Sequence, residues 1–284
     1  MSQAETTPEV RPTASNLLPL LGSEITILFR RRRTWAMLAA LAAVPILIAV
    51  ALKLASPGGR GGPAFLDQIT QNGLFVSLTS LVVSIPLFLP LTVGVVSGDT
   101  IAGEASLGTL RYLLLSPTGR VRLLFVKFVG VLLYCLAATL VIVLAGAAIG
   151  AALFPIGPVT LLSGDSIGIP EYAVRSLLLA GYVTLSMLGL SAIGLFASTL
   201  TVVPVGAMAA TVVLSALSQI LDQIPQLEWL HPWLFSHLWL DFADLLRQPI
   251  EWGSFAANAL LQLGYVAVFG ALAVARFTTK DVLS

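Results

Sequence analysis

The sequence predicts an all-α polytopic membrane protein: six transmembrane helices, an N-terminal interfacial amphipathic helix, and a short cytoplasmic helix between spans two and three. Three observations predict it. The 284 residues are 57% hydrophobic and 10% charged, against about 25% charged in a soluble domain. Several apolar runs reach the roughly 20 residues a bilayer-crossing helix needs. Lys and Arg then fall mostly on one side of the resulting topology. A globular core of this length leaves too much surface to hide such an apolar share, so lipid is the matching solvent.

Taken in order, residues 1–15 are polar and Pro-containing and read as a disordered cytoplasmic tail; residues 16–284 read as one transmembrane domain. Over 16–33, Leu17, Leu20, Leu21, Ile25 and Leu28 recur at helical spacing beside Glu24. This reads as a helix in the inner interface, with Arg30, Arg31, Arg32, Arg33 and Trp35 at the level of anionic headgroups. The arginines stand directly before a full-length span, so no signal-peptide cleavage is expected. The spans are roughly 35–54, 74–96, 123–153, 174–199, 202–221 and 255–277. Spans four and five are joined by a tight turn near Leu200 and Thr201, with Pro204 opening the next helix.

Six spans put both termini on one side. With that side cytoplasmic, 11 of the 15 basic residues lie inside, and Lys53, Arg60, Arg175 and Arg247 lie outside. The expected location is the cytoplasmic (inner) membrane, with both ends inside. Lys53, Lys127, Arg175 and Arg276 lie near span ends, where snorkelling to the interface is expected.

Several function classes are excluded. The span centres carry no ionisable residue, which argues against a proton- or sodium-coupled carrier and against an intramembrane enzyme. No HExxH or GxSxG occurs, so no catalytic and no metal-binding residue is assigned. His231 and His237 stand six apart, not three or four, and read as structural. Cys135 is the single cysteine and reads as a buried inert thiol. A net charge of +1 gives no electrostatic footprint for nucleic acid. Lys53, Lys127 and Lys280 are not preceded by Gly, so there is no phosphate loop. The chain itself therefore has no ATPase and needs no cofactor.

The stretch "SGDTIAGEASLGTLRYLLLSPTGR", residues 97–120, interrupts the apolar runs. Asp99 reads as a helix start, where an acid favours the dipole. Ile101, Ala105, Gly108, Leu110 and Leu114 trace an apolar stripe, with Glu104 and Arg111 on other faces. Pro117 and Gly119 end the helix before Arg120 and Arg122. Such a helix can hold a soluble partner, or simply anchor an inner loop. In span two, Pro86 and Pro90 permit bending. In span five, Gly206, Thr211 and Ser215 fit either helix packing or a mildly polar pathway.

Here the residues carry a likeness. Glu104, Gly108-Thr109-Leu110, Leu113-Leu114, Ser116-Pro117, Arg120 and Lys127 together resemble the "E…GTL…LL…P…R…K" signature of ABC type-2 exporter permeases. The nearest likeness is to the six-span branch that includes the nitrous-oxide-reductase maturation permeases. Glu24 with the arginines and Trp35 resembles that branch's entry helix, and "FTTKDVL" resembles its closing element. The chain departs at Ala105 and Ser106, where the family often carries further charge. The resemblance implies a permease paired with a separate ABC ATPase, which supplies ATP and Mg, and with a second permease copy. It implies that Asp99, Glu104, Gly108, Thr109, Leu110, Arg111 and Arg120 form or support the ATPase contact, and that Pro86, Pro90, Gly206, Thr211 and Ser215 lie on the gating or pathway side. The apolar span interiors suit a drug, lipid or lipopeptide cargo moved outward. The competing reading is a non-transporting assembly, immunity or sensor protein that binds a cytoplasmic partner through residues 97–120.

Overall fold

The computed structural model describes residues 17–55, 72–109, 119–161 and 163–279. Its α-helices are α1 (Leu17–Arg30), α2 (Arg32–Ala55), α3 (Phe75–Ser84), α4 (Phe88–Ser106), α5 (Arg120–Leu153), α6 (Ile169–Ser186), α7 (Leu188–Leu200), α8 (Pro204–Asp222) and α9 (Gly253–Thr279). A two-residue antiparallel hairpin pairs Val159 with Ile167 and Thr160 with Ser166. Five apolar stretches are long enough to cross a membrane: α2, α5, the α6–α7 pair, α8 and α9. The α3–α4 pair makes a sixth if its two halves, bent by 57°, count as one broken span. The chain is thus all-α and polytopic, as its composition predicts.

Two spans are broken, and each break has a chemical cause. Between α3 and α4, Leu87 leaves helical geometry. Pro90 sits in the first turn of α4, where its missing N–H interrupts no hydrogen bond. The break within the fourth span falls at Met187. There the Gly189 N–H donates to Gln262 Oε1 of α9 at 3.0 Å, and Gln262 Nε2 donates to the Phe235 carbonyl at 2.8 Å. In hydrocarbon a freed backbone donor needs such a partner, and Gln262 supplies it.

Helices α4, α7 and α8 meet at small residues. A Cβ on Gly98 would lie 2.7 Å from the Met208 backbone nitrogen, so glycine sets the α4–α8 approach. Ser198 of α7 then enters the α4 hydrogen-bond ladder. Its Oγ donates to the Gly98 carbonyl at 2.7 Å and accepts from the Ile101 and Ala102 N–H groups at 2.9 and 2.8 Å.

Span four begins earlier and α4 ends later than expected from sequence, at Ile169 and Ser106. The expected separate helix starting at Asp99 is corrected. Asp99 is an interior residue of α4 and is only 8% exposed, so it caps no N-terminus. The expected snorkelling of Lys127 and Arg175 is corrected too, since they are 2% and 4% exposed. Both are buried because each finds a full set of acceptors. The Arg175 guanidinium donates to the Leu245 and Arg247 carbonyls, to Gln248 Oε1 and, through two nitrogens, to Glu171 Oε1.

That guanidinium fastens residues 223–252, a run of short 3-10 turns capping one end of the bundle. Tyr182 Oη of α6 donates to the Leu238 carbonyl at 2.6 Å, and Tyr265 Oη of α9 donates to the Trp233 carbonyl at 2.7 Å. We call this the distal cap. The opposite, basic end carries α1, the close of α4 and the start of α5; there Arg120 donates to the Phe277 and Thr278 carbonyls of α9.

The small-residue junction gives a direct test. Gly98→Leu is expected to lower the thermal midpoint and the monodispersity of the detergent-solubilised protein, because backbone faces it. Gly206→Leu, whose Cβ would meet nothing within 4 Å, is expected to leave both unchanged.

Candidate functional site at the basic end

The site is built where four helices, α1, α2, α4 and α5, bring charge into the protein. Lys127 lies two turns into α5, on the face that turns inward. Its three ammonium protons all have acceptors: Glu24 Oε1 and Oε2 of α1 at 3.0 and 3.1 Å, and Glu104 Oε1 of α4 in a close ion pair. Lys127 keeps only 1% of its side chain exposed, and Glu104 keeps 12%. One turn earlier on α4, Asp99 Oδ2 accepts from Arg31 at 2.8 Å and from Arg33 in a second, close pair.

The α1–α2 corner delivers those arginines. Thr34 Oγ1 donates to the Leu28 carbonyl at 2.7 Å and Trp35 Nε1 to the Phe29 carbonyl at 2.7 Å. Both bonds reach six residues back and cap the carbonyls that the end of α1 leaves free. Arg31 and Arg33 therefore turn toward α4, while Arg30 and Arg32 stay exposed on the surface.

Three acids (Glu24, Asp99, Glu104) and three bases (Arg31, Arg33, Lys127) thus balance. The two clusters flank a cavity of about 30 Å³ lined by all six residues, room for about one water. Glu104 Oε2 is buried with no hydrogen-bond partner among the described residues. Breaking such an ion pair costs far more than never making it, because the survivor is left as an uncompensated buried charge.

Just past Glu104 the helix ends in a Schellman cap. Gly108 has φ +71°, the left-handed region that only glycine enters without strain. The Gly108 N–H donates to the Ala105 carbonyl and the Thr109 N–H to the Glu104 carbonyl, the paired bonds of that motif. The glycine of "GTL" is therefore a helix terminator. Leu107, Gly108 and Thr109 are exposed there, Leu107 by 73%.

The residues expected to act together separate into groups. Asp99 and Glu104 face inward in ion pairs, Gly108 and Thr109 are exposed at the cap, and Arg120 is bound to α9. Leu110 and Arg111 lie outside the described residues. Pro90 is buried at the α3–α4 break and Pro86 is half-buried within it. Thr211 and Ser215 are each 1% exposed; Thr211 touches the glycines of α4 and α7, and Gly206 lies on the open side of α8. Sequence reasoning missed the partners of Asp99 and Lys127 and the exposed Leu107. The available signal was that Glu24 is the one acid of α1 and Lys127 stands within the apolar run of α5.

The cluster predicts a coupled stability effect. Lys127→Met strands two carboxylates and is expected to destabilise by about 3–5 kcal/mol, read as a fall in the thermal midpoint. Adding Glu104→Gln to that variant is expected to recover part of the loss, a non-additive pair; strictly additive losses would refute the coupling.

The model of a family described as ABC-2 family transporter protein matches residues 20–218. That region contains the whole charge cluster, the Schellman cap and both broken spans. No curated protein matches the chain.

Proposed function

Since the chain belongs to the ABC-2 family of transporter proteins, we propose that it is the permease subunit of an ABC exporter driven by a separate ATPase. The observation that carries this reading is the joining of an exposed, capped helix end to a buried charge cluster. Leu107, Gly108 and Thr109 offer a soluble partner a small apolar and polar contact. Three residues before Leu107, Glu104 is paired with Lys127 of α5, and the same ammonium holds Glu24 of α1. A push on the cap is therefore shared by α1, α4 and α5 as one body. The break at residues 85–87 is where the distal half of the span can change angle against that body.

In this reading Leu110, Arg111 and Arg120 complete the contact, and the partner supplies ATP and Mg. Two copies of the chain face each other across the open side of α8, where Val205, Val213, Leu217 and Ile220 are exposed. An apolar or amphipathic cargo such as a drug, lipid or lipopeptide passes beside the second and fifth spans. The basic end with both termini faces the cytoplasm, since Arg30 and Arg32 accompany it, and the membrane is the inner one. The likeness to the nitrous-oxide-reductase maturation branch belongs to this proposal as well.

Leu107→Asp and Thr109→Arg are expected to abolish co-purification with an ABC ATPase expressed alongside, and with it ATP-dependent movement of a lipophilic dye in proteoliposomes. Both residues are exposed, so the thermal midpoint is expected to hold. Retained ATPase binding in both variants would end the docking reading. ATPase binding without movement of any substrate would favour an assembly or sensor role.

A further inference from the structure

A cavity much larger than that of the charge cluster lies beyond residue 218, where the family match ends. It is an open groove of about 770 Å³ between the first half of α9 and the distal cap. One wall is the α9 stripe from Ala257 to Phe269, and the other is Pro232, Trp233 and Leu238 of the cap. Gly264 forms part of its floor, and a Cβ there would meet nothing within 4 Å.

Three features identify what fits it. First, α9 has a membrane-span composition and is peripheral: Leu260 and Val268 are 76% and 56% exposed. Second, the groove runs twelve residues along the helix, from 257 to 269, which is about 18 Å at 1.5 Å per residue. Half of a hydrocarbon core about 30 Å thick is of the same order. Third, its cap end carries interfacial groups. Trp229 and Trp233 are 72% and 70% exposed, as expected of rings at headgroup level. His237 lines the same end, its Nδ1 donating to Asp222 Oδ1 at 2.7 Å.

We propose that this groove is a lipid site that seats one acyl chain of a phospholipid from the leaflet on the distal side, with its ester and headgroup region beside His237 and Trp233. The volume lies within the range of roughly 300–1,000 Å³ that ligand pockets occupy. The walls are largely apolar; the polar side chains are His237 and Tyr265, and the Tyr265 hydroxyl is already bonded to the Trp233 carbonyl. The cap carbonyls are already occupied by Tyr182, Gln262 and Tyr265, so the rim is held open without the lipid.

The test uses the full chain in liposomes containing a phosphatidylcholine with a photoactivatable diazirine on one acyl chain. After illumination, adducts are mapped by peptide mass spectrometry. Adducts are expected to concentrate several-fold in 232–238 and 257–269 over the exposed face of α5 at Phe125 and Leu144. Gly264→Phe is expected to reduce labelling in the groove to the α5 level while the thermal midpoint is unchanged. Even labelling of α5 and α9, or groove labelling unaffected by Gly264→Phe in a folded protein, would overturn the proposal. So would efficient cross-linking between two copies through Leu260→Cys, because a second chain would then cover the groove. The measurement needs no ATPase, so its outcome is separate from that of the transport reading.

Discussion

The basic end of the molecule depends on one constraint: a lysine held out of water must have an acid to balance its charge and an acceptor for each of its N–H donors. Lys127 is nearly fully buried on an apolar helix, where an unpaired ammonium would be prohibitively costly. Its solution recruits Glu24 from a helix before the first span and Glu104 from the end of the second. The cation therefore fixes where α1 lies and how α4 ends. The Asp99 pairs with Arg31 and Arg33 repeat the device one turn away and fix the α1–α2 corner. Such pairs add little net stability against apolar replacements, but losing one partner strands the other as a buried charge.

The same economy of polar groups governs the breaks in the spans. Two of the places where a helix is interrupted or approached have a hydroxyl or amide placed against them. Gln262 meets the free N–H at the fourth-span break, and Ser198 enters the α4 ladder just before Asp99. A side chain inserted into a ladder is a known cause of bending. The α4 segment between Ser198's bonds and the Schellman cap is thus a short, charged unit. It is separately anchored to α7 by Ser198, to α5 by Lys127 and to α2 by Arg33.

Much of this was legible in the sequence. Apolar run length marked the spans, because it reports directly on the bilayer. The prolines at 86 and 90 marked the second-span break, whereas Gly108, expected within a helical stripe that runs to Pro117, is the turn that ends α4. The direction of the charged side chains was not legible. Periodicity places Glu104 on a face of its helix, but whether that face meets water or Lys127 depends on where α5 lies, and only tertiary packing decides that. Asp99 was misread for the same reason. An acid after Gly looks like a helix start, yet the apolar neighbours Val96 and Ile101 pack on and carry the helix through it. The distal groove was invisible as well, since it arises between two segments whose apolar residues alone suggest only burial.

The distal cap has a bearing on how a passage through the molecule would open. Arg175 and Tyr182 on α6 and Gln262 and Tyr265 on α9 grip the cap's backbone, and Ser218 on α8 bonds Ser236 at 2.7 Å. A segment riveted to three helices cannot swing as a flap. It travels with whichever helix moves, and it splits only if the helices do. Any doorway at that end must therefore be a seam that parts, rather than a hatch that lifts.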